Sequence, residues 1–221
     1  MSVKMALIMA GGKAPALPTL AKHLKDADLI IGADLGAEHL LRAGRIPDVV
    51  IGDMDSCAKG VIQNIVKAGS KVVEFPAEKD FTDLEAAIDY CIDHGYQQIK
   101  VLAALHGRRI DHIFGNVFLL LKYAYKGLEI RLCDDNGRFV QAITDSIQIT
   151  GKIGSYVSLI PLTSQVQGVK TTGLKYPLND SVLIQGSSLG ISNELVASSA
   201  QIAIDNGVLL VIKEIDAIYK R

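Results

Sequence analysis

The chain has 221 residues, 49% of them hydrophobic, and a formal net charge of −1 at pH 7. This length suits one large domain or two small ones, and the apolar content is enough for a packed core. Charges of both signs are interspersed, without the basic surface of a nucleic-acid-binding protein or the Lys/Arg cluster of a membrane-surface protein. We therefore expect neither nucleic acid nor membrane as a partner.

The N-terminus and the cysteines bear on the compartment. The first residues are predicted to form a strand rather than a signal peptide, and no apolar run approaches the roughly 20 residues of a membrane-spanning helix. The three cysteines, Cys57, Cys91 and Cys133, are far apart and form no C-x-x-C motif. They are predicted to be reduced packing residues of a cytoplasmic protein rather than zinc ligands.

The first 130 residues or so alternate between short apolar segments and segments with helical periodicity. Strands are predicted at 5–10, 27–34, 47–53, 71–75, 99–105 and 128–134. Helices are predicted at 35–44, 58–69, 82–95 and 111–127, and the last three end in the glycines Gly69, Gly95 and Gly127. Such alternation predicts an α/β domain with a parallel sheet.

The rhythm changes after about residue 136. Strand-like segments lie at 139–143, 146–151, 155–162, 168–174, 181–186 and 208–215, separated by Gly, Ser, Asn and Pro. Segment 192–204 is expected to hold a helical turn or more. The pattern predicts a small all-β sandwich. The boundary is placed in the polar turn 134–137, which gives domains 1–134 and 135–221.

Five aspartates follow predicted strands and should meet at one edge of the sheet, because parallel strands all end there: Asp34, Asp53, Asp55, Asp80 and Asp83. Carboxylates gathered in a partly dry cleft repel each other. A divalent cation relieves this repulsion, and Mg²⁺ favours a few carboxylates together with substrate phosphates. The cluster therefore predicts a magnesium site.

Simpler roles also fit some of these acids. Asp83 stands between Thr82 and Glu85, which match a capping box, and an acid in a first helical turn is favourable on its own. Taken alone, Asp83 is better explained as part of that cap. Asp53 and Asp55 together favour a metal or phosphate site, since a turn needs only one of them.

A second charged segment, 105–116, follows the fifth predicted strand and opens the next helix. Arg108 and Arg109 lie in the turn, and guanidinium groups match phosphate oxygens in geometry. Asp111 is a plausible N-cap. His112 and Asn116 are four residues apart and share a helix face, although a lone histidine there is more often structural than a ligand or base.

Gly11 and Gly12 follow the first strand and would let a phosphate approach backbone N–H groups, although a Gly-Gly pair alone is weak evidence. The sequence contains neither G-x-x-x-x-G-K-[ST] nor G-x-G-x-x-G. A nucleotide would therefore be bound without a P-loop or a dinucleotide fingerprint.

Five motifs, in order, resemble those of thiamine pyrophosphokinases. They are GDMDS (52–56), KDFTDLEAA (79–87), RIDHIFGN (109–116), TTGLKYPL (171–178) and GSSLGISNE (186–194). The resemblance spans nearly the whole chain. The chain departs from the family's usual motifs at Leu35, where a glycine is common, and at His106 and Arg108.

The resemblance implies an α/β catalytic domain, a β-sandwich domain, and transfer of a diphosphoryl group from ATP to the thiamine hydroxyl, with AMP released. It implies Mg²⁺ and a homodimer whose sites are shared between subunits. Asp53, Asp55 and Asp83 are the implied catalytic residues that also bind the metal, and Arg109 is implied to be catalytic and to bind the nucleotide. The other residues expected to bind the nucleotide are Gly11, Gly12, Asp111, His112 and Asn116. The residues expected to bind thiamine are Asp34, Tyr176, Ser192 and Asn193. Whether Asp34 or Asp83 acts as a base or as a metal ligand stays open.

Parts of the sequence also bear on three other functions. GSSLG (186–190) fits the G-x-S-x-G elbow of serine hydrolases, but such enzymes need a histidine later in the chain and the last one is His112. An esterase is therefore excluded. A Mg²⁺-dependent phosphohydrolase and a non-catalytic thiamine or nucleotide sensor both remain as alternatives.

Overall fold

A computed structural model of the protein describes residues 3–54, 60–107, 109–134 and 137–214. The chain divides into two units. One comprises Met1–Leu119 with Leu128–Asp135, and the other comprises Leu120–Gly127 with Asn136–Arg221. The domain boundary expected in the turn 134–137, and the roles assigned to the two domains, stay predictions.

The first unit contains a parallel sheet of six strands, as the sequence predicted. They are β1 (Met5–Met9), β2 (Leu29–Ala33), β3 (Val49–Gly52), β4 (Lys71–Glu74), β5 (Gln98–Leu102) and β6 (Glu129–Cys133). The strand order is β6-β5-β1-β2-β3-β4, and every pairing is parallel. The chain runs outward from β1 to β4 and then returns to β5 on the other side of β1. This reversal creates the crevice in which open α/β sheets bind ligands.

Five helices connect these strands in the described part of the chain. They are α1 (Leu17–Lys25), α2 (Gly36–Arg42), α3 (Val61–Lys67), α4 (Asp83–Asp93) and α5 (Ile110–Tyr123). Helices α2 to α5 were predicted, and α1 was missed: it has nine residues, a proline in its first turn and only Leu20 buried. No helix among the described residues has the length and apolar character needed to cross a membrane.

The core of this unit lies between the sheet and the helices. All five residues of β1 are buried, and α4 packs on β1, β2 and β3 through the apolar face that its sequence predicted. Burial raises the pKa of the Cys91 thiol to about 12 and that of Cys133 to about 11. These two cysteines are buried and unreactive packing residues, as expected. Cys57 lies outside the described residues.

Residues 137–214 of the second unit form two antiparallel sheets, so the predicted β-sandwich class is confirmed. One sheet has the order β12-β9-β14-β7 and the other β11-β10-β13-β8. Their strands are β7 (Phe139–Ile143), β8 (Ser146–Thr150), β9 (Tyr156–Pro161), β10 (Gln165–Thr172), β11 (Ser181–Ile184), β12 (Asn193–Glu194), β13 (Ser199–Ala203) and β14 (Leu209–Lys213).

The helical turn expected within 192–204 is wrong. This segment forms β12 and β13 instead. In β13, Ala200 and Ile202 are buried while Gln201 between them is exposed, which is the two-residue period of a strand. Pairing with β8 and β10 outweighs the helix propensity of its alanines.

Candidate active site

The carboxyl ends of β2 and β3 bring Asp34 against Ile51 and Gly52, which directly precede Asp53. The Asp34 N–H donates to the carbonyl of Ile51 at 2.8 Å, which ties the residue after β2 to the end of β3. The backbone there is unusual, since Asp34 (φ 49°) and Met54 (φ 63°) are non-glycine residues in the left-handed region. Ala103, which follows β5, has φ 59°. Such strained positions cluster at functional sites.

Lys79 lies between two of the predicted catalytic aspartates. Its Nζ is 3.0 Å from Asp83 Oδ1 and 4.0 Å from Asp53 Oδ2. The lysine side chain is only 8% exposed, and those of Asp53 and Asp83 are 19% and 23% exposed. A buried ammonium thus offsets the repulsion between the two carboxylates. The sequence interpretation gave Lys79 no role, although it stands four residues before Asp83 in the KDFTD segment.

The carboxylates fit a Mg²⁺ ion in number and chemistry. Asp83 Oδ1 is buried, and its contact with Lys79 is an ion pair outside hydrogen-bonding geometry, so it retains capacity to bind a cation. Mg²⁺ commonly takes one or two carboxylates and completes its shell with water and substrate phosphates. The described residues contain no group of three or more His, Cys, Asp or Glu side chains suited to a metal. Asp55 lies outside them.

Asp83 is also the first residue of α4, so it lies in the first helical turn, as the capping pattern in the sequence predicted. Thr82 is the N-cap residue, and its Oγ1 accepts from the N–H of Glu85 at 3.2 Å. The cap fixes the first turn of the helix and therefore the direction of the Asp83 side chain. The capping role belongs to Thr82, which leaves the Asp83 carboxylate to face Lys79.

Gly12 packs the loop after β1 against the loop after β5. Its N–H donates to the carbonyl of Ala103 at 2.9 Å, and His39 Nε2 donates to its carbonyl at 2.8 Å. A Cβ at Gly12 would lie 2.2 Å from two carbonyl oxygens, those of Ala103 and His106. Close packing thus explains this glycine, and its N–H is already used within the fold. Gly11 is exposed.

Arg109 and Asp111 form an exposed ion pair. Arg109 Nε donates to Asp111 Oδ1 at 3.2 Å, and a second guanidinium nitrogen donates to Oδ2. The two side chains are 68% and 60% exposed. The Arg109 hydrogen bond holds the pKa of the Asp111 carboxyl below its usual value, and Asp111 in turn raises the pKa of Arg109. Since α5 begins at Ile110, Asp111 lies inside the first turn and the N-cap role expected for it is wrong.

Of the remaining residues of segment 105–116, some connect loops of the fold and others lie on the surface. Asn116 Nδ2 donates to the carbonyl of Ala104 at 3.0 Å and so anchors α5 to the loop after β5. His106 Nε2 forms a hydrogen bond with Asp134 Oδ2, which joins the loops after β5 and β6. His112 is exposed on α5. Arg108 lies outside the described residues.

In the second unit, Tyr176 and Asn193 are joined by their hydrogen bonds. Asn193 is 4% exposed, its Oδ1 accepts from the Tyr176 N–H at 3.0 Å, and its Nδ2 donates to the Tyr176 carbonyl at 2.7 Å. Its Oδ1 also accepts from the Glu194 N–H at 2.9 Å. Asn193 therefore fixes the backbone of Tyr176. We call these two residues the Tyr176–Asn193 clamp.

The clamp presents its tyrosine to the surface. The Tyr176 side chain is 60% exposed, and Lys175 Nζ lies 5.6 Å from its ring centroid. Ser192 precedes Asn193, has φ 59°, and donates its N–H to Ser158 Oγ at 3.0 Å. An exposed aromatic ring on a fixed backbone, with a cation already over it, is suited to binding an aromatic or cationic group.

Comparison with known proteins decides the family. A family model described as "Thiamin pyrophosphokinase, catalytic domain" matches residues 20–132, and one described as "Thiamin pyrophosphokinase, vitamin B1 binding domain" matches residues 145–209. The thiamine pyrophosphokinase of Bacillus subtilis (strain 168) is 34% identical over 215 residues, which cover 97% of this chain and 100% of that protein. The chain belongs to the thiamine pyrophosphokinase family.

Solved structures agree with this membership. A thiamine pyrophosphokinase structure from Bacillus subtilis is similar with a TM-score of 0.85 and 33% identity, covering 97% of this chain and 100% of that chain. One from Geobacillus thermodenitrificans gives 0.79 and 32%, covering 97% and 99%. The family inferred from the five motifs, the fold class and the enzyme class of a thiamine diphosphokinase are confirmed.

Within the first unit, the described site residues fall into two groups. Asp34, Asp53 and Asp83 lie at the ends of β2 and β3 and the start of α4, with Lys79 between the last two. Arg109 and Asp111 pair with each other at the start of α5. Their roles as metal, nucleotide and thiamine ligands stay predictions.

Proposed function

We propose that this thiamine pyrophosphokinase uses ATP as the diphosphoryl donor and Mg²⁺ as its metal, with the strand-end aspartates as the reaction centre. The observation that carries the proposal is the buried Lys79 between Asp53 and Asp83, because it gathers two carboxylates and one cation where α/β sheets bind ligands. When bound by Asp53, Asp55 and Asp83, Mg²⁺ supplies neutralisation of phosphate charge.

The chain's own residues then position and activate the reacting groups. The thiamine hydroxyl oxygen forms a bond to the β-phosphorus of ATP, and the bond from that phosphorus to the α–β bridging oxygen breaks, so that AMP leaves. Asp34 or Asp83 accepts the hydroxyl proton. Lys79 offsets negative charge as the phosphates approach, and Arg109 exchanges its exposed partner Asp111 for phosphate oxygens.

The other predicted nucleotide residues take supporting roles in this proposal. Gly11 offers an exposed backbone beside the crevice, while Gly12 and Asn116 hold the loop after β5 in place. His112 lies on the exposed surface of α5 beside the Arg109–Asp111 pair. In the second unit, Tyr176 stacks on the thiamine rings, and Ser192 and Asn193 shape and fix that surface.

Product analysis tests this reaction. We expect thiamine, ATP and Mg²⁺ to give thiamine diphosphate and AMP in equal amounts by mass spectrometry, and no turnover after chelation of the metal. AMP or ADP formed without thiamine would instead indicate a phosphohydrolase. Tight thiamine binding with no product would indicate a sensor.

A homodimer with shared sites is also proposed. Helix α5 leaves a stripe of large apolar side chains at four-residue spacing, with Ile110, Phe114 and Phe118 at 68%, 58% and 50% exposed. Monomers rarely expose such contiguous apolar surface. A second subunit would cover this stripe, and two-fold symmetry would create two equivalent sites.

Subunit mixing tests the sharing of sites. Asp83→Ala should inactivate the metal region, and a Tyr176→Ala/Asn193→Ala double variant should show no activity at thiamine concentrations far below its raised KM, which are the assay conditions. In a mixed dimer one site would collect both defects and the other would be intact, so activity should return. If differential tags show that mixed dimers form but the mixture stays inactive, each site lies within a single chain.

The cytoplasm is the proposed location. Its ATP supplies the donor, and its reducing conditions suit the buried thiols of Cys91 and Cys133. Neither nucleic acid nor membrane has a part in the proposed reaction.

A further inference from the structure

Lys79 has a defined position in the loop between β4 and α4. Besides its contacts with Asp83 and Asp53, its Nζ donates to the carbonyl of Pro76 at 3.3 Å, near the start of that loop. The loop ends at Thr82, whose cap fixes the direction of the Asp83 side chain. The lysine thus links the start of the loop to the first residue of α4, and its ammonium is held at the carboxylates.

The ammonium and a divalent cation compete for the Asp83 carboxylate. Nζ lies 3.0 Å from Asp83 Oδ1, and this oxygen is buried, so solvent and salt screen the charges there only weakly. A metal ion held by the same carboxylate would bring two charges of like sign close together. Lys79 therefore weakens the binding of a metal ion that arrives alone.

A nucleotide reverses the sign of this effect. The polyphosphate brings several negative charges, and its oxygens accept charge-assisted hydrogen bonds from an ammonium. Metal ion and lysine then share the phosphates as common partners, as cations do in phosphoryl transfer. The charge that opposes the ion alone thereby favours the ion together with the phosphates.

We propose that Lys79 couples metal binding to nucleotide binding, so that the site takes up Mg²⁺ with ATP and discriminates against the free ion. This inference rests on the proposed function, which assigns Asp53 and Asp83 to the metal and ATP to the reaction. Lys79 acts here as a positioning residue with a charge of its own. A lysine that only anchored the loop would support the metal equally with and without a nucleotide.

Mn²⁺ is the probe for this proposal, because it prefers the same oxygen ligands and its free form is measured by electron paramagnetic resonance. Lys79→Met, made in the full chain, removes the charge and keeps the length of the side chain. It should bind Mn²⁺ alone at least tenfold more tightly than the unchanged protein. It should bind the Mn²⁺ complex of α,β-methylene-ATP, which lacks the bridging oxygen at which the bond breaks, at least tenfold more weakly.

Three more variants separate charge from anchoring. Lys79→Gln repeats the neutral substitution with a polar side chain, so the test holds if methionine disturbs the fold. Lys79→Arg retains the charge and should bind Mn²⁺ alone within about threefold of the unchanged protein. Lys67→Met, at an exposed lysine of α3, is the matched control and should change neither affinity. Neutral variants that fold but bind Mn²⁺ alone no more tightly than the unchanged protein would overturn the coupling.

Asp83→Asn distinguishes a failure of this inference from a failure of the proposed function. It should lose Mn²⁺ binding both with and without the nucleotide analogue. If Asp83→Asn binds Mn²⁺ like the unchanged protein, the metal assignment itself is wrong and the coupling is wrong with it. If Asp83→Asn loses Mn²⁺ while the neutral Lys79 variants gain no affinity, the metal assignment stands and only the role of Lys79 is wrong.

Discussion

The strand-end aspartates of the first unit and the Tyr176–Asn193 clamp of the second are built on opposite physical principles. Around Lys79 the side chains are charged and partly buried, so each depends on its partner's charge. In the clamp, a buried neutral amide makes three hydrogen bonds to backbone and leaves an aromatic ring exposed. The first arrangement suits chemistry on phosphate, and the second suits recognition of a ring.

Substitutions in these two regions should therefore have different effects. Changing a charge at the strand ends should alter the rate of reaction, because the proposed mechanism stabilises the developing charge there. Changing the clamp should alter stability and thiamine affinity, because its hydrogen bonds fix shape. Four substitutions test this separation, and the one with the largest expected effect is Asp83→Asn.

Asp83→Asn removes the carboxylate closest to Lys79 and keeps the shape of the side chain. We expect kcat to fall by about 10³-fold, since a proposed metal ligand and its charge are both lost. The free energy of unfolding should fall by at most ~3 kcal/mol, because the broken ion pair is only partly buried. Steady-state kinetics and urea unfolding measure the two effects. Glu78→Gln, at an exposed carboxylate of the same loop, is the control and should retain activity.

Arg109→Lys retains the positive charge but loses the planar fork of the guanidinium. We expect kcat to fall by roughly 10²-fold and the affinity for ATP to change much less, since the fork acts on charge that develops in the transition state. Single-turnover kinetics separates these quantities. An unchanged kcat would transfer the role to Arg108.

Asn193→Ala removes three hydrogen bonds and leaves the N–H groups of Tyr176 and Glu194 without their acceptor. The free energy of unfolding should fall by about 1–3 kcal/mol, and the KM for thiamine should rise while kcat changes little. Asn193→Asp retains the accepting oxygen and should recover part of both losses. A large loss of kcat with unchanged KM would assign Asn193 to the reaction itself.

Much of the fold and part of the site could be predicted from the sequence. The six strands of the first unit were predictable because buried parallel strands are short apolar runs, and Asp34 and Asp53 follow two of them directly. Lys79 was missed because a lysine in a polar loop resembles a surface residue. Only the fold shows that its side chain turns inward between two carboxylates.

The clamp illustrates a different limit of sequence reasoning. The family motif predicts Asn193 as a thiamine residue, which stays a prediction, and only the fold shows that its amide oxygen accepts from the backbone of Tyr176 and Glu194. Tyr176 is 17 residues away in sequence, and no local periodicity indicates that contact. The helical turn expected within 192–204 was wrong for the same reason, since the pairing of its strands with distant partners decides its structure.

The smallest predicted effect concerns the exposed Arg109–Asp111 pair. Arg109 lowers the pKa of Asp111, so the pair stabilises the folded state above the ordinary aspartate pKa, and this contribution disappears as the pH falls through the lowered value. Arg109→Gln should raise the Asp111 pKa back towards the ordinary value of an aspartate. Carbon-detected NMR titration of the carboxyl group measures this directly. ATP binding should also raise the Asp111 pKa if Arg109 moves to the phosphates, and a constant value would contradict that exchange.

Thiamine affinity, measured by equilibrium dialysis on three proteins, tests the central separation most directly. The unchanged protein and Asp83→Asn should bind thiamine with the same Kd within about twofold, although the variant has lost turnover. Tyr176→Ala should bind at least tenfold more weakly, about 1.4 kcal/mol. If Asp83→Asn loses as much thiamine affinity as Tyr176→Ala, charge and ring recognition belong to one undivided site, and the assignment of chemistry to one unit and recognition to the other is wrong.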